Sequence, residues 1–246
     1  TFKIDSQFNK QKFLRNFAHD DWEKKELKQR MRAISIALYE SLSPEKFSQK
    51  IAILKQVVVE LPKDKMSGLA LIIFADFIEV FGGDNFDESM AALEFFTEFG
   101  SAEFAVRKFI KLDCKRAFKF IKKWTKSKNH HVRRLASEGI RPCLPWGEVL
   151  SEFRKNPLEI LAILQNLKSD ESEYVRKSVA NNLNDISKDH PQLVVDLMRK
   201  WQKEKVSENL IKHALRTLLK RGNKEALEII GIDCNNLSEN FLIENF

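Results

Sequence analysis

The stretch Ser172–Ser187, SEYVRKSVANNLNDIS, sets apolar residues at Val175, Val179, Leu183 and Ile186. Steps of four, four and three residues return to one side of a 3.6-residue turn, so the segment reads as a helix with one buried stripe. It opens on polar or acidic residues and then sets a β-branched residue before a cation. The same scheme recurs from Ser101 (SAEFAVRKFI), Asn129 (NHHVRRLASEGI) and Ser207 (SENLIKHALRTLLKRG). The anchors Val106, Val132, Val175 and Ile211 lie 26, 43 and 36 residues apart. Ahead of the last two anchors runs a second stripe, Leu158-Ile160-Leu161-Ile163-Leu164 and then Leu193-Val194-Leu197-Met198-Trp201. Paired helices of this kind cannot bury their faces alone, so they stack.

Working outward, the first half is helical too. Ala33–Leu42 and Phe47–Leu61 are amphipathic, and Ser43-Pro44-Glu45 reads as a helix start with Ser43 at the N-cap. Gly82-Gly83 closes a helix over Leu69–Phe81, and another runs from Asp87 to Phe99 before Gly100. Eight Gly and six Pro in 246 residues are too few for the turns of a barrel or sandwich. The expectation is an all-α, curved solenoid of HEAT-like helical repeats with a concave basic groove. Repeat boundaries fall near Gly100, Asn129, Ser169 and Ser207, within one continuous domain over residues 1–246. The three cysteines, Cys114, Cys143 and Cys234, have no metal or redox spacing and read as free thiols of a reducing compartment. The longest apolar run is interrupted by Asp76 and Glu79 and no signal peptide opens the chain. The expected setting is cytoplasmic, with no membrane partner.

Net charge is +7, and thirteen Lys or Arg against two acids fall between Arg107 and Arg141. Such a stripe is either a footprint for phosphate backbone or a solvated lysine face. In stacked pairs the second helix lines the concave side. Opposite the buried stripe of Val132, Leu135, Ala136 and Ile140 stand Arg134, Glu138 and Arg141; on the next such helix stand Lys177, Asn181, Asn184, Asp185 and Lys188. His213 shares that register and is readable as a phosphate contact or as an ordinary surface histidine. His130-His131 opens a helix, and Cys143 reads as structural.

No phosphate-cradling glycine loop, dinucleotide motif, HExxH or metal cluster is present, so neither cofactor nor metal is expected. The acids Glu103, Glu138 and Asp185 remain. Glu138 with Arg134 can be a plain i, i+4 ion pair, and Asp185 can tether the loop after it through Ser187. Against that stands their placement. An acid in a phosphate-binding groove weakens binding, which suggests a duty toward a cationic base or an oxocarbenium-like sugar.

Three motifs carry a resemblance: EFAVRKFI from Glu103, HVRRLASEGIRPCLPWG from His131 and VRKSVANNLNDISKDHP from Val175. The chain, from about Arg15 to Gly231, resembles the AlkC branch of the HEAT-like-repeat alkylpurine DNA glycosylases. The resemblance implies hydrolytic excision of cationic alkylated bases, N3-methyladenine and N3-methylcytosine, from double-stranded DNA in base excision repair. It implies catalytic roles for Glu103, Glu138 and Asp185, with Arg134 and Trp146 beside them. On this reading Arg107, Arg133, Arg134 and Lys177 hold phosphates, Arg141 and Asn181 line the same groove, and Trp146 offers its ring to the lesion. Which acid orients the water stays open. Cys143 stands where the family usually has Arg, and Lys108 where it often has Pro. Some relatives carry an immunoglobulin-like domain at the C-terminus, which is not expected in this chain. A monomer is expected. The alternative is a non-catalytic HEAT-type DNA-binding module, which assigns nothing to Glu138 or Asp185.

Overall fold

The computed structural model describes residues 4–17, 22–61 and 68–233, and among these the chain is helical with no strand. Cys234 lies outside the described residues. The chain divides into two compact units, one ending at Trp124 and one beginning at Thr125. No helix of the described residues is long and apolar enough to cross a membrane.

The first unit holds α1 (Lys10–Phe17), α2 (Leu27–Ser41), α3 (Phe47–Glu60), α4 (Gly68–Phe81), α5 (Phe86–Phe96), α6 (Val106–Leu112) and α7 (Cys114–Trp124). Helix α2 packs on α1 and α4, while α5 packs on α3, α4 and α7. A capping box opens α2: the side chain of Glu26 and that of Gln29 satisfy each other's backbone amides. At the corner after α5 the chain passes close over α4. A Cβ on Gly100 would sit 2.6–2.9 Å from backbone atoms of Leu71, Ile72 and Gly68, so a side chain there would push the two segments apart.

One helix start differs from its sequence pattern. Helix α3 begins at Phe47 with Lys46 as its N-cap. Ser43 instead donates its amide (2.9 Å) and hydroxyl (2.7 Å) to the carboxylate of Asp5. Burial pushes the Asp5 carboxyl up, but those donors outweigh it and hold the pKa below the ordinary value. A buried acid needs donors more than an exposed helix end needs a cap.

The second unit holds α8 (His130–Glu138), α9 (Ser151–Lys155), α10 (Leu158–Leu167), α11 (Glu173–Ile186), α12 (Pro191–Lys203), α13 (Glu208–Lys220) and α14 (Lys224–Ile229). Helices α8, α11 and α13 pack in succession, backed by α10, α12 and α14. These are the HEAT-like pairs that the sequence stripes predict. Val132, Leu135, Ala136 and Ile140, then Val175, Val179, Leu183 and Ile186, are all buried. Asn129 caps α8 by accepting from the His131 amide at 2.8 Å, and Pro191 occupies the first turn of α12.

The uneven repeat spacing has local causes. Helix α6 stops after two turns because Asp113 swings into an extended conformation, where its Oδ1 accepts from the Arg116 amide (2.9 Å) and opens α7. That shortens the first interval. The loop over residues 139–150 and α9 lengthen the second.

Candidate active site

Helix α8 ends at Glu138, and Gly139 closes it by donating to the Leu135 carbonyl. The chain then turns back, with the Arg141 amide 3.3 Å from the Glu138 carbonyl. Arg141 is therefore not one helical turn beyond Glu138 on a solvated face, as the periodicity predicts. The turn folds its guanidinium over the end of α8 and onto α11.

There Arg141 bridges two acids. Nη1 donates to Glu138 Oε1 at 2.7 Å, and Nε donates to Asp185 Oδ2 at 2.8 Å. Each acid has further donors. Ser178 Oγ donates to Glu138 Oε2 at 2.6 Å, Arg134 Nη2 lies 3.4 Å from Oε1, and Lys188 Nζ lies 3.1 Å from Asp185 Oδ1. Glu138, Arg141 and Asp185 are 4%, 6% and 2% exposed. Burial of charge is costly unless every group is paired, and this arrangement meets that demand. For Arg141, burial lowers the pKa while Asp185 and Glu138 raise it, and the acids win. Arg141 keeps its charge in a buried place because its opposites stand beside it.

The burial is itself a correction. The periodicity predicts a solvated face opposite the apolar stripe, yet Glu138, Arg141, Asn184 and Asp185 are enclosed. Because α11 packs between α8 and α13, it hides two flanks as well as its stripe. Asn184 serves this packing by accepting from the Thr217 amide at 3.0 Å, and Asn182 Nδ2 donates to the Ser137 carbonyl at 2.8 Å.

Two histidines lie within the field of these cations. His213 is held below the ordinary histidine pKa by burial first, then by Arg216, Lys177 and Arg141. His131 is lowered by burial, His130 and Arg134. In both, burial acts first and neighbouring cations add to it.

The other expected residues separate into groups. Arg134 stacks its guanidinium 5.1 Å above the Tyr174 ring. Lys177 is exposed beside Glu173 at 3.0 Å, and Asn181 Oδ1 lies 2.9 Å from His213 Nε2. Trp146 is 77% exposed and has φ +60°, a left-handed conformation costly for any residue with a side chain. Its loop is tied by Leu150 donating to the Pro142 carbonyl (3.1 Å) and Gly147 donating to the Leu144 carbonyl (3.0 Å).

Two arginines expected on phosphate are engaged elsewhere. Arg133 donates to both oxygens of Asp170 (2.6 and 2.9 Å), to Glu171 (3.1 Å) and to the carbonyls of Ser127 and Lys128. It ties the entries of α8 and α11 together. Arg107, in the first unit, is 1% exposed, enclosed by protein and not presented on a solvated face. Glu103 also belongs to the first unit, half-buried ahead of α6, where it accepts from Ser101 Oγ at 2.6 Å. Beside it Lys28 Nζ sits 4.2 Å from the centre of the Phe104 ring.

Sequence reasoning missed Ser178, Lys188 as a ligand of Asp185, and Tyr174. Ser178 had a signal, since it stands seven residues before Asp185 and so shares its flank of α11. Among the described residues no cluster of His, Cys, Asp or Glu is placed to hold a metal ion.

Known proteins share this arrangement of helices. A family model described as DNA alkylation repair enzyme matches residues 88–225. The uncharacterized protein YhaZ of Bacillus subtilis (strain 168) is 44% identical over 227 residues, which is 92% of this chain and 62% of that protein. Among solved structures, Pseudomonas fluorescens alkylpurine DNA glycosylase AlkC, bound to DNA containing an abasic site analog, aligns with a TM-score of 0.87. It is 39% identical, over 94% of this chain and 63% of that one. AlkD2 from Streptococcus mutans aligns with a TM-score of 0.55 at 26% identity, over 84% of this chain and 97% of that one. The chain thus spans less than two thirds of the length of YhaZ and of AlkC.

Proposed function

From the premise that the chain belongs to the DNA alkylation repair enzyme family, we propose that it is a monomeric DNA glycosylase excising cationic alkylated bases from duplex DNA. N3-methyladenine and N3-methylcytosine are the proposed lesions. The observation that carries this reading is the buried Glu138–Arg141–Asp185 bridge, in which two carboxylates hold one planar cation. A pair of acids that binds a guanidinium is suited to a planar cationic base or to a flattened sugar cation.

The chemistry follows from charge. In a cationic base the glycosidic nitrogen already draws electrons from C1′, so the C1′–N bond breaks with both electrons leaving on the base, which departs neutral. The deoxyribose becomes oxocarbenium-like, and carboxylates fixed beforehand stabilise that charge without reorganising. Water adds its oxygen to C1′ and gives up a proton, which Glu138 or Asp185 accepts as general base. Ser178 and Lys188 hold the acids at set orientations while this occurs. Arg134 and Lys177 contact the phosphates on either side, with Asn181 on the same face. Trp146, already exposed, stacks on the nucleotide. Glu103 enters on the strength of its EFAVR motif.

Single-turnover incubation with duplex bearing N3-methyladenine tests the proposal. Free base should appear well above its spontaneous release, and equal rates with and without protein would leave the non-catalytic module as the better reading.

A further inference from the structure

Helix α13 adds a set of donors that the proposed chemistry leaves unused. His213 Nε2 lies 2.9 Å from Asn181 Oδ1 on α11 and 3.2 Å from Arg216 Nη1. Among the described residues, no carboxylate pairs with Arg216 or with the neighbouring Lys212, and both are exposed. The other arginines around this layer are matched: Arg133 to Asp170, Arg134 and Arg141 to Glu138, and Arg176 to the carbonyls of Asp170 and Glu171. Arg216 alone among these rests on a ring nitrogen.

That contact is informative about what is missing. If Nε2 carries a proton it donates to Asn181, and it then meets the Arg216 N–H donor to donor. If Nε2 is bare, it takes the Arg216 proton, and Asn181 must turn its amide nitrogen toward the ring. In either state Arg216 and the His213 ring converge where, among the described residues, no carboxylate pairs with them; Lys177, further along α11, has Glu173. The charged groups that act on His213 are Arg216 on its own helix, Lys177 on α11 and Arg141 from the turn after α8. All are cations. The platform is also fixed, because buried Asn184 accepts from the Thr217 amide and so locks α13 against α11.

We propose that His213, Arg216, Asn181 and Lys177 form a phosphate-binding subsite on α11 and α13, which takes one phosphodiester of the DNA strand and protonates His213 as it does so. The first three already touch, and Lys177 stands one helical turn before Asn181. An oxyanion supplies the acceptor that Arg216 lacks. It also reverses the balance at His213: burial and then the neighbouring cations lower its pKa, an oxyanion answers those cations, and an imidazolium can donate to the phosphate. The inference rests on the proposed DNA-binding role but not on base excision.

The test therefore uses undamaged duplex. For the full chain, log affinity against log salt should fall in slope by about one on Arg216→Ala, the loss of one phosphate contact. Affinity should rise as pH drops from 8 to 6, and His213→Gln should remove that rise. The His213 ring resonance should titrate about one unit higher with duplex bound than without, equivalent to roughly tenfold in affinity. Inorganic phosphate alone separates the two sources of the same chemistry. If it shifts the His213 resonance while duplex does not, a free phosphate and not the strand is the ligand, and the proposal fails. An unchanged salt slope in Arg216→Ala, with melting temperature unaltered, also overturns it. If the slope falls but no base is ever released, the subsite stands and the glycosylase reading falls.

Discussion

Two arginines near α8 each bridge a pair of acids, and the pairs behave differently. Arg133 grips Asp170 through two hydrogen bonds, reaches Glu171, and donates to the carbonyls of Ser127 and Lys128. Asp170 in turn accepts from the Ser172 amide at the start of α11. Every one of those bonds closes a loop. Arg141 spans Glu138 and Asp185 instead, and those acids are held by side chains, Ser178 and Lys188, and approached by Arg134. Burial and pairing are common to both. The partners of the acids distinguish a staple from a site: backbone groups in one case, functional side chains in the other.

The comparison breaks most visibly at the acids themselves. Glu138→Gln and Asp185→Asn should each slow single-turnover release of N3-methyladenine on the order of 100-fold or more, the size typical of removing a preorganised electrostatic contact. Asp170→Asn should leave the rate per folded molecule unchanged. Equal rates in all three would remove the assignment of the second unit's acids. Undamaged duplex should bind the Glu138 and Asp185 variants as tightly as the wild type, or more tightly, since a negative charge is gone.

Next come the arginines. Arg141→Ala takes from two buried carboxylates the cation they share and should cost about 3 kcal/mol of stability in urea unfolding, because breaking a buried ion pair leaves its charge under-compensated. Arg133→Ala should cost a similar amount and yet spare excision. A fall in excision for Arg133→Ala, at temperatures where it is folded, would erase the distinction.

Smaller effects sharpen the picture. Ser178→Ala leaves Glu138 Oε2 without its donor and should destabilise by about 1–3 kcal/mol. A serine that holds Glu138 in its working orientation should also cost single-turnover base release per folded molecule, and Ser178→Thr, which keeps the hydroxyl, should restore it. A purely structural serine would leave that rate unchanged. At the staple, burial raises the Asp170 pKa, but Arg133 and the Ser172 amide lower it further, and the net direction is down. A folded-state pKa below the unfolded value, about 3.9 for Asp, gives stability that is present above that pH and lost as pH falls through the folded pKa. The wild type should lose stability below about pH 4, and Asp170→Asn should flatten that limb of a urea midpoint series.

Much of the fold was legible because its signal is local. The stripes at Val132, Val175 and Ile211 are spaced by the helix period, and Asn129 and Pro191 are boundary residues whose effect needs only their own amides. Ser43 misled because its partner, Asp5, is 38 residues away. The acids Glu138 and Asp185 stood out by charge contrast within a basic stretch. That Arg107 and Arg133 are buried could not be read from charge, since a cation near phosphate-binding residues looks the same whether it faces solvent or an internal acid.

By itself, then, the sequence determined which segments are helical, which stripe each helix buries, where the basic charge gathers and which motifs mark the family. Those properties follow from residue periodicity and composition. Only the tertiary structure decided the rest: that Arg141 turns back to bridge Glu138 and Asp185, that Arg133 is a staple, and that Arg216 leans on His213 with no acid beside it among the described residues. Each depends on a partner from a different helix or on a turn that breaks the period. A helix flank carries no mark of whether water or another helix will cover it.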